Sequence, residues 1–308
     1  MIEDPHVATR QLLVAELDAK RFSHPEYLSW FYDQNPRGNA LLENIDDESG
    51  RRIGHYGVLP ARFRHGNAVV PFIFSTNVAT DSSIRKSGLF RKMANPMYER
   101  AAATGAPAMV GVGNDTSTVV VVDRFGWHRI GPMRARVAWG LPTRSVRRHR
   151  VTPDFLRSRE FVELTAFLEG APVEEWAQHW DTDFLRWRLS RPNGGYVLHA
   201  HADALAVSVC AAGPARLPFA VLLKVWPTSD AASPLRAGRI VASALRAHSA
   251  VACIYAGWNR NVKVAGVTIP HRLQPSPLNV VLKILNPDAV DAASFNLETF
   301  EFLDMDAY

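Results

Sequence analysis

The segment from Pro71 to Ala103 constrains this chain most. An apolar run, Pro71 to Thr80, passes through the polar stretch Asp81 to Ser87 into Gly88. From Leu89 to Ala103 the apolar positions then recur at helical spacing. The pattern reads as a strand, a tight loop and an amphipathic helix. The first turn of a helix leaves backbone N–H groups without intrahelical partners, and the macrodipole adds partial positive charge there. Arg85, Lys86, Ser87 and Gly88 at that point make a seat for a pyrophosphate. The plain alternative is a capped helix with basic residues on its solvated face.

The downstream residues favour the seat. Gly105 and Pro107 end the helix, and a second apolar run, Ala108 to Gly113, stops at Asn114. Arg124-Phe125-Gly126-Trp127 then starts another strand. The Arg85-Lys86-Ser87-Gly88 core resembles the Arg/Gln-x-x-Gly-x-Gly/Ala signature of the GNAT acyl-CoA N-acyltransferases. The order strand, loop, helix, strand, helix, strand is similar to that family's acyl-CoA half from about Arg52 to Trp139.

Composition describes a folded protein: 308 residues, 47% apolar and 21% charged, enough for one large or two ordinary domains. No apolar stretch is long enough to span a bilayer, and the N-terminus, Met1 to His6, is polar rather than a secretory leader. Cys210 and Cys253 lack His or Cys neighbours at ligand spacing, so they read as small buried residues, with no metal and a cytoplasmic setting. The net charge is +5. Its one dense run, Arg144 to Arg150, reads first as a solvated linker and second as a groove for an anionic ligand; no aromatic–basic interleaving accompanies it, so nucleic acid is not expected.

The chain also repeats itself. Tyr27-Leu28-Ser29-Trp30 has a counterpart in Phe184-Leu185-Arg186-Trp187, and Pro71-Phe72-Ile73-Phe74 in Pro218-Phe219-Ala220-Val221. The run Phe90 to Ala103 matches Leu235 to His248, and Gly113-Asn114 matches Gly257 to Asn259. The expected fold is α/β (α+β): two tandem GNAT-like domains, 1–145 and 153–308, each a twisted, mostly antiparallel sheet flanked by helices. Strands are expected at Ala40–Ile45, Arg52–Arg64, Val69–Thr80, Ala108–Val112 and Trp127–Trp139, then at Tyr196–Ala202, Ala204–Ala211, Phe219–Trp226, Val251–Ala256 and Val280–Leu285. Hairpin turns fit Gly66-Asn67 and Ala202-Asp203. Opposite Arg85 the second copy has Leu235, followed by Arg236-Ala237-Gly238. It has lost a donor, so its expected role is to complete the acceptor pocket.

The resemblance implies acetyl-CoA or another short acyl-CoA as co-substrate and a small-molecule amine as acceptor. The acyl-CoA would be held by the backbone of Val78 and Thr80, by Arg85, Lys86, Ser87, Gly88, Leu89 and Phe90, and by Asn114, which also reads as a helix cap. Thr76 would face the acceptor. The segment after Asn114 has no Tyr to protonate a leaving thiolate. For the base, His55 comes first, since histidine titrates nearest neutrality; Tyr56 and His271 are placed near the acceptor. The resemblance also brings in the terminal carboxylate at Tyr308. The expected activity is N-acylation, with a nucleotide-linked amino sugar as acceptor and a homodimer as an allowed assembly. An aminoglycoside or polyamine is the next acceptor, and a non-catalytic acyl-CoA sensor or scaffold the alternative from another class.

Overall fold

The computed structural model describes residues 4–17, 20–84, 88–140, 145–171, 173–213, 216–228, 233–274 and 276–305. Two helices, α1 (Val7–Leu17) and α2 (Tyr27–Asp33), precede strands β1 (Leu41–Asp46), β2 (Arg52–Gly66) and β3 (Ala68–Thr80). Then come α3 (Leu89–Ala103), β4 (Ala108–Asn114), α4 (Asp115–Phe125), β5 (His128–Pro132) and β6 (Ala135–Ala138). The second half runs β7 (Arg147–Arg150), α5 (Pro153–Arg157), α6 (Arg159–Thr165), β8 (Val173–Gln178), α7 (Thr182–Leu189), β9 (Val197–His201), β10 (Ala204–Ala212) and β11 (Pro218–Pro227). It continues with β12 (Leu235–Arg236), α8 (Gly238–Ala247), β13 (Ala252–Asn259), β14 (Val262–Lys263), β15 (Gly266–Thr268), β16 (Leu278–Ile284) and β17 (Leu297–Glu301).

β2 is buried almost continuously from His55 to Leu59, as a strand covered on both faces must be. Tyr56 and Val58 pack with Met93, Ala94, Met97 and Ala101, the apolar stripe of α3. Leu59, Ala61 and Phe63 face the opposite layer, with Tyr27, Phe31 and Tyr32 of α2. The alternation has the period of two that a strand requires. The turns at Gly66-Asn67 and Ala202-Asp203 join β2 to β3 and β9 to β10, as the sequence indicates.

One order of elements runs through both halves: an antiparallel pair, a helix, a strand parallel to the second of the pair, and an edge strand. These are β2–β3, α3, β4 and β5, then β10–β11, α8, β13 and β15. The slot before each edge strand is filled from the other half. β16 lies between β4 and β5, and β6 lies between β13 and β15. This differs from the sequence expectation in two places. Trp127–Trp139 is two strands rather than one, because the chain leaves the first sheet at Pro132 and enters the second at Ala135. The strand expected at Val280–Leu285 belongs to the first sheet, not the second. An alternating apolar run does not encode which sheet receives it.

β8 and β17, neither expected, link the halves into one 15-stranded sheet among the described residues. The repeated aromatic motifs meet between them. Trp30 and Trp187 stack at 5.2 Å, and each indole N–H donates to the other residue's carbonyl at 3.1 Å. Among the described residues no helix is long and apolar enough to cross a membrane, and no group of three or more His, Cys, Asp or Glu side chains could hold a metal ion. Cys253 is buried, which pushes its thiol up to about 12; Cys210, expected to be buried, is exposed.

Candidate active site

The site is built on an irregularity in β3. The β2–β3 ladder shifts register between the pairs His55–Ala79 and Gly57–Thr76, and Asn77 sits in the shift with φ 49°. Asparagine is one of the few side chains that tolerate the left-handed region, and a bulge re-aims the strand that carries it. Three hydrogen bonds, two of them buried, hold it. Asn77 Nδ2 donates to Tyr32 Oη at 2.9 Å, Tyr32 Oη lies 2.8 Å from His55 Nε2, and His55 Nδ1 lies 2.7 Å from Asn44 Oδ1. Asn44 Oδ1 only accepts, so His55 carries its proton on Nδ1, and its Nε2 accepts from the Tyr32 hydroxyl.

Beyond the bulge β3 parts from β4. The two pair at Ile73–Met109, Phe74–Val110 and Ser75–Gly111 and no further, while β4 runs on to Asn114 against β16. Thr76 to Thr80 and Val112 to Asn114 therefore flank a cleft, and no strand among the described residues pairs into it. Val78 and Thr80 are half-buried on its β3 side, and Thr76 Oγ1 donates to Asn77 Oδ1 at 3.3 Å. On the other side Asn114 caps α4, its Oδ1 accepting from Ser117 N at 2.9 Å.

The N-terminus of α3 lies at the same end of the sheet. Gly88 is its N-cap with φ 76° and no side-chain cap, and the first turn has no acidic residue. Only glycine adopts that conformation without strain, and the N–H groups behind it lack intrahelical partners. Leu89 is buried, and Phe90 stacks on Tyr56 at 6.1 Å. Upstream, Asp81 accepts from Ser83 Oγ at 2.5 Å and Ser83 N at 2.9 Å and pairs with Arg51. The Ser83 hydroxyl and N–H, with Arg51, hold the Asp81 carboxyl down to about 2, so this carboxylate is already matched and fixes the loop's entry. Arg85, Lys86 and Ser87 lie outside the described residues.

The acid–base expectations fare differently. His55 is fully buried with both ring nitrogens engaged. Burial, then the positive charge of Arg52, lowers its pKa to about 3. It is placed to shape the bulge, not to take a proton from a substrate at neutrality. Tyr56 is also enclosed, its hydroxyl 2.9 Å from Ser75 Oγ, and burial raises its pKa well above the ordinary value. His271 opens a one-turn 3-10 helix, His271–Leu273, away from the cleft in sequence; its side chain, like Tyr308, lies outside the described residues. Sequence reasoning misses Tyr32 and Asn77, although an Asn inside a β-branched and aromatic run is a bulge signal.

His55 offers a direct test. His55→Ala leaves the buried Tyr32 O–H without an acceptor, and a buried unpaired group costs about 1–3 kcal/mol, whereas Asn44 is exposed and turns to water. The variant should lose roughly 1–3 kcal/mol of stability, while the pH–rate profile keeps its shape near neutrality. Because the folded pKa is depressed, the wild-type contribution is whole above about 6.5 and is lost as pH falls toward about 3. Thermal melts at several pH values, with rate profiles beside them, check both points. A neutral-pH inflection that disappears in the variant would restore His55 as a base.

The second half has the same plan with its cleft closed. The β10–β11 ladder shifts at Leu223, between Val207–Lys224 and Ser208–Leu222, and β11 parts from β13 after Leu222–Tyr255. There β17 pairs with β13 over Gly257 to Asn259, and Lys224 of β11 reaches across to the same segment. Its Nζ lies 3.2 Å from Glu301 Oε2 and 2.7 Å from Asp304 Oδ2. The segment before α8 is engaged as well: Leu235 N donates to Asn261 O at 2.9 Å and Ala237 N to Lys263 O at 3.0 Å. Gly140 presses against Gly238, where a Cβ at 140 would lie 1.7 Å from the Gly238 carbonyl oxygen. Backbone occupies the place a pyrophosphate would need.

Residues 22–130 match the family model described as acetyltransferase (GNAT) domain. No curated protein matches the chain by sequence. Among solved structures, a GCN5-related N-acetyltransferase from Anabaena variabilis is 12% identical and aligns over 90% of this chain and 69% of its own, with a TM-score of 0.58. N-myristoyltransferase from Saccharomyces cerevisiae, with bound myristoyl-CoA, is 10% identical over 89% of this chain and 78% of its own, with a TM-score of 0.57. A GCN5-related N-acetyltransferase from Kribbella flavida is 15% identical over 80% and 60%, with a TM-score of 0.53. These likenesses establish the fold: a mixed α/β architecture with a large, mostly antiparallel sheet flanked by helices, of the GNAT kind.

Proposed function

We propose that this chain is an acyl-CoA-dependent N-acyltransferase that moves an acetyl or short acyl group to the amine of a small molecule, with a nucleotide-linked amino sugar as the acceptor class. The observation that carries the reading is the cleft between Thr76–Thr80 and Val112–Asn114, opened by the bulge at Asn77 and facing the uncapped start of α3. Acyl transfer needs a positioned thioester and donors where the oxyanion forms. Unpaired strand backbone at Val78 and Thr80 would supply the donors, and the α3 N-terminus with Arg85 would hold the pyrophosphate. The neutral amine attacks the thioester carbon, the C–S bond breaks and the thiolate leaves. His271 is the candidate for receiving the amine proton, with His55 in a positioning role.

In this reading residues 1–145 and 153–308 are tandem GNAT-like units, the first binding acyl-CoA and the second completing the acceptor pocket. The filled cleft of the second half supports that division. Calorimetry should therefore return one acyl-CoA per chain; two equivalent sites would overturn it. Function itself is tested by a thiol-release screen of amines with acetyl-CoA, beginning with nucleotide-linked amino sugars and including aminoglycosides. Acyl-CoA binding without turnover on any amine would favour a sensor or scaffold.

A further inference from the structure

A cavity of about 1200 Å³ lies beside the closed cleft of the second half, bounded by β8, β11, β17 and the segment before α8. That exceeds the ~300–1,000 Å³ usual for small-ligand sites. Its lining contains buried polar atoms that find no partner among the described residues: the Nε donors of Trp226 and Arg64, and the amide oxygen of Gln178. Trp226 is only 8% exposed. Buried polar groups are nearly always matched, and an orphan calls for an explanation.

The charges of the lining are unequal in the same sense. Its carboxylates are engaged: Glu298 accepts from the N–H groups of Glu174 and Glu175 and from Asn261, Glu174 pairs with Arg260, and Asp203 pairs with His201. Two of its cations have no carboxylate partner among the described residues. Arg64 donates only to the backbone carbonyls of Ala171 and Glu169, and Arg236 is exposed on the rim. Guanidinium groups suit phosphate oxygens. An indole N–H and an amide oxygen in one lining can meet a donor and an acceptor on a planar heterocycle, and Trp180 and Trp226, in edge-to-face contact at 5.4 Å, form an aromatic wall.

We infer that this cavity binds a nucleoside diphosphate moiety, with Arg64 and Arg236 on the phosphates and Trp226 and Gln178 on the base. The acyltransferase reading enters only in taking that moiety to be the handle of the acceptor. It is not a second coenzyme A seat, because the loop before α8 is engaged by β14 and covered by Gly140.

Calorimetry on the full chain with uridine diphosphate, uridine and inorganic pyrophosphate tests this directly. Uridine diphosphate should bind once per chain, and each fragment should bind at least tenfold more weakly. Arg236→Ala and Trp226→Phe, the latter removing the N–H but keeping the ring, should each weaken uridine diphosphate five- to thirtyfold, with melting temperature and acetyl-CoA affinity unchanged. The inference is overturned if uridine diphosphate shows no saturable binding, if both variants bind it as wild type does, or if coenzyme A displaces it. Expected uridine diphosphate binding in a protein that fails to bind acetyl-CoA would sink the acyltransferase reading and leave the cavity assignment standing.

Discussion

Arg85→Ala should raise the KM for acyl-CoA by roughly ten- to a hundredfold and leave kcat and the amine KM nearly unchanged. The guanidinium would donate charge-assisted hydrogen bonds to the pyrophosphate, each contributing about 1.5–3 kcal/mol, and about 1.4 kcal/mol is one decade of affinity. The pyrophosphate lies far from the reacting carbonyl, so the contacts are alike in ground and transition states and act on KM alone. Arg85→Lys should recover part of the loss, because an ammonium lacks the planar fork. The loop's anchor, Asp81 with Ser83 and Arg51, is untouched by either change, so a shifted KM reports the lost contact. An unchanged acyl-CoA KM in a well-folded Arg85→Ala protein would remove the main support for an acyl-CoA enzyme.

Lys224→Met should be the most destabilising single change. Lys224, Glu301 and Asp304 are all buried. The two carboxylates hold the ammonium charged and raise its pKa despite burial, while burial raises that of Glu301. Removing one partner of a buried ion pair typically costs about 3–5 kcal/mol, because the remaining charges stay uncompensated. At ~2–4 °C per kcal/mol, the melting temperature should fall by roughly 10 °C. Adding Glu301→Gln should recover part of that. The sign with pH is set by the raised pKa values. The Lys224 contribution is present below its ordinary 10.5 and is lost as pH rises through the folded value. The deficit of Lys224→Met should instead narrow on acidification, as the stranded Glu301 carboxylate, already raised by burial, takes up a proton. A melting temperature within a degree of wild type would mean the cluster holds nothing together.

What the sequence makes legible, and what it does not, divides along physical lines. Local pattern is informative where one segment settles its own structure. The expected helix Leu89–Ala103 is α3 residue for residue, and the long strands ending at Thr80 and starting at Arg52 lie where alternation puts them. The aromatic repeats mark the contact between halves, since Trp30 and Trp187 can satisfy each other's N–H groups only by meeting. Partnership between distant segments is not legible. Nothing in Leu278–Ile284 says that it pairs with β4, and β8 and β17 are short and of mixed polarity. Histidine's ordinary pKa points to His55, and burial, a tertiary property, lowers that pKa to about 3 and argues against the role. A single lysine inside the apolar run Phe219 to Trp226 is the overlooked signal: a charge there requires a counter-charge, and Glu301 and Asp304 supply it.

The exchange of β6 and β16 also sets a schedule for synthesis. β4 is complete when Asn114 leaves the ribosome, yet the strand that covers its outer edge begins at Leu278. At ~5–20 residues per second, that edge waits roughly 10–30 s with its backbone donors and acceptors unsatisfied. It faces β5, which could close over the gap prematurely and would then have to be displaced. Native assembly of this sheet thus waits on a segment made more than 160 residues after β4, and the nascent chain must be kept from settling early into a sheet one strand too narrow.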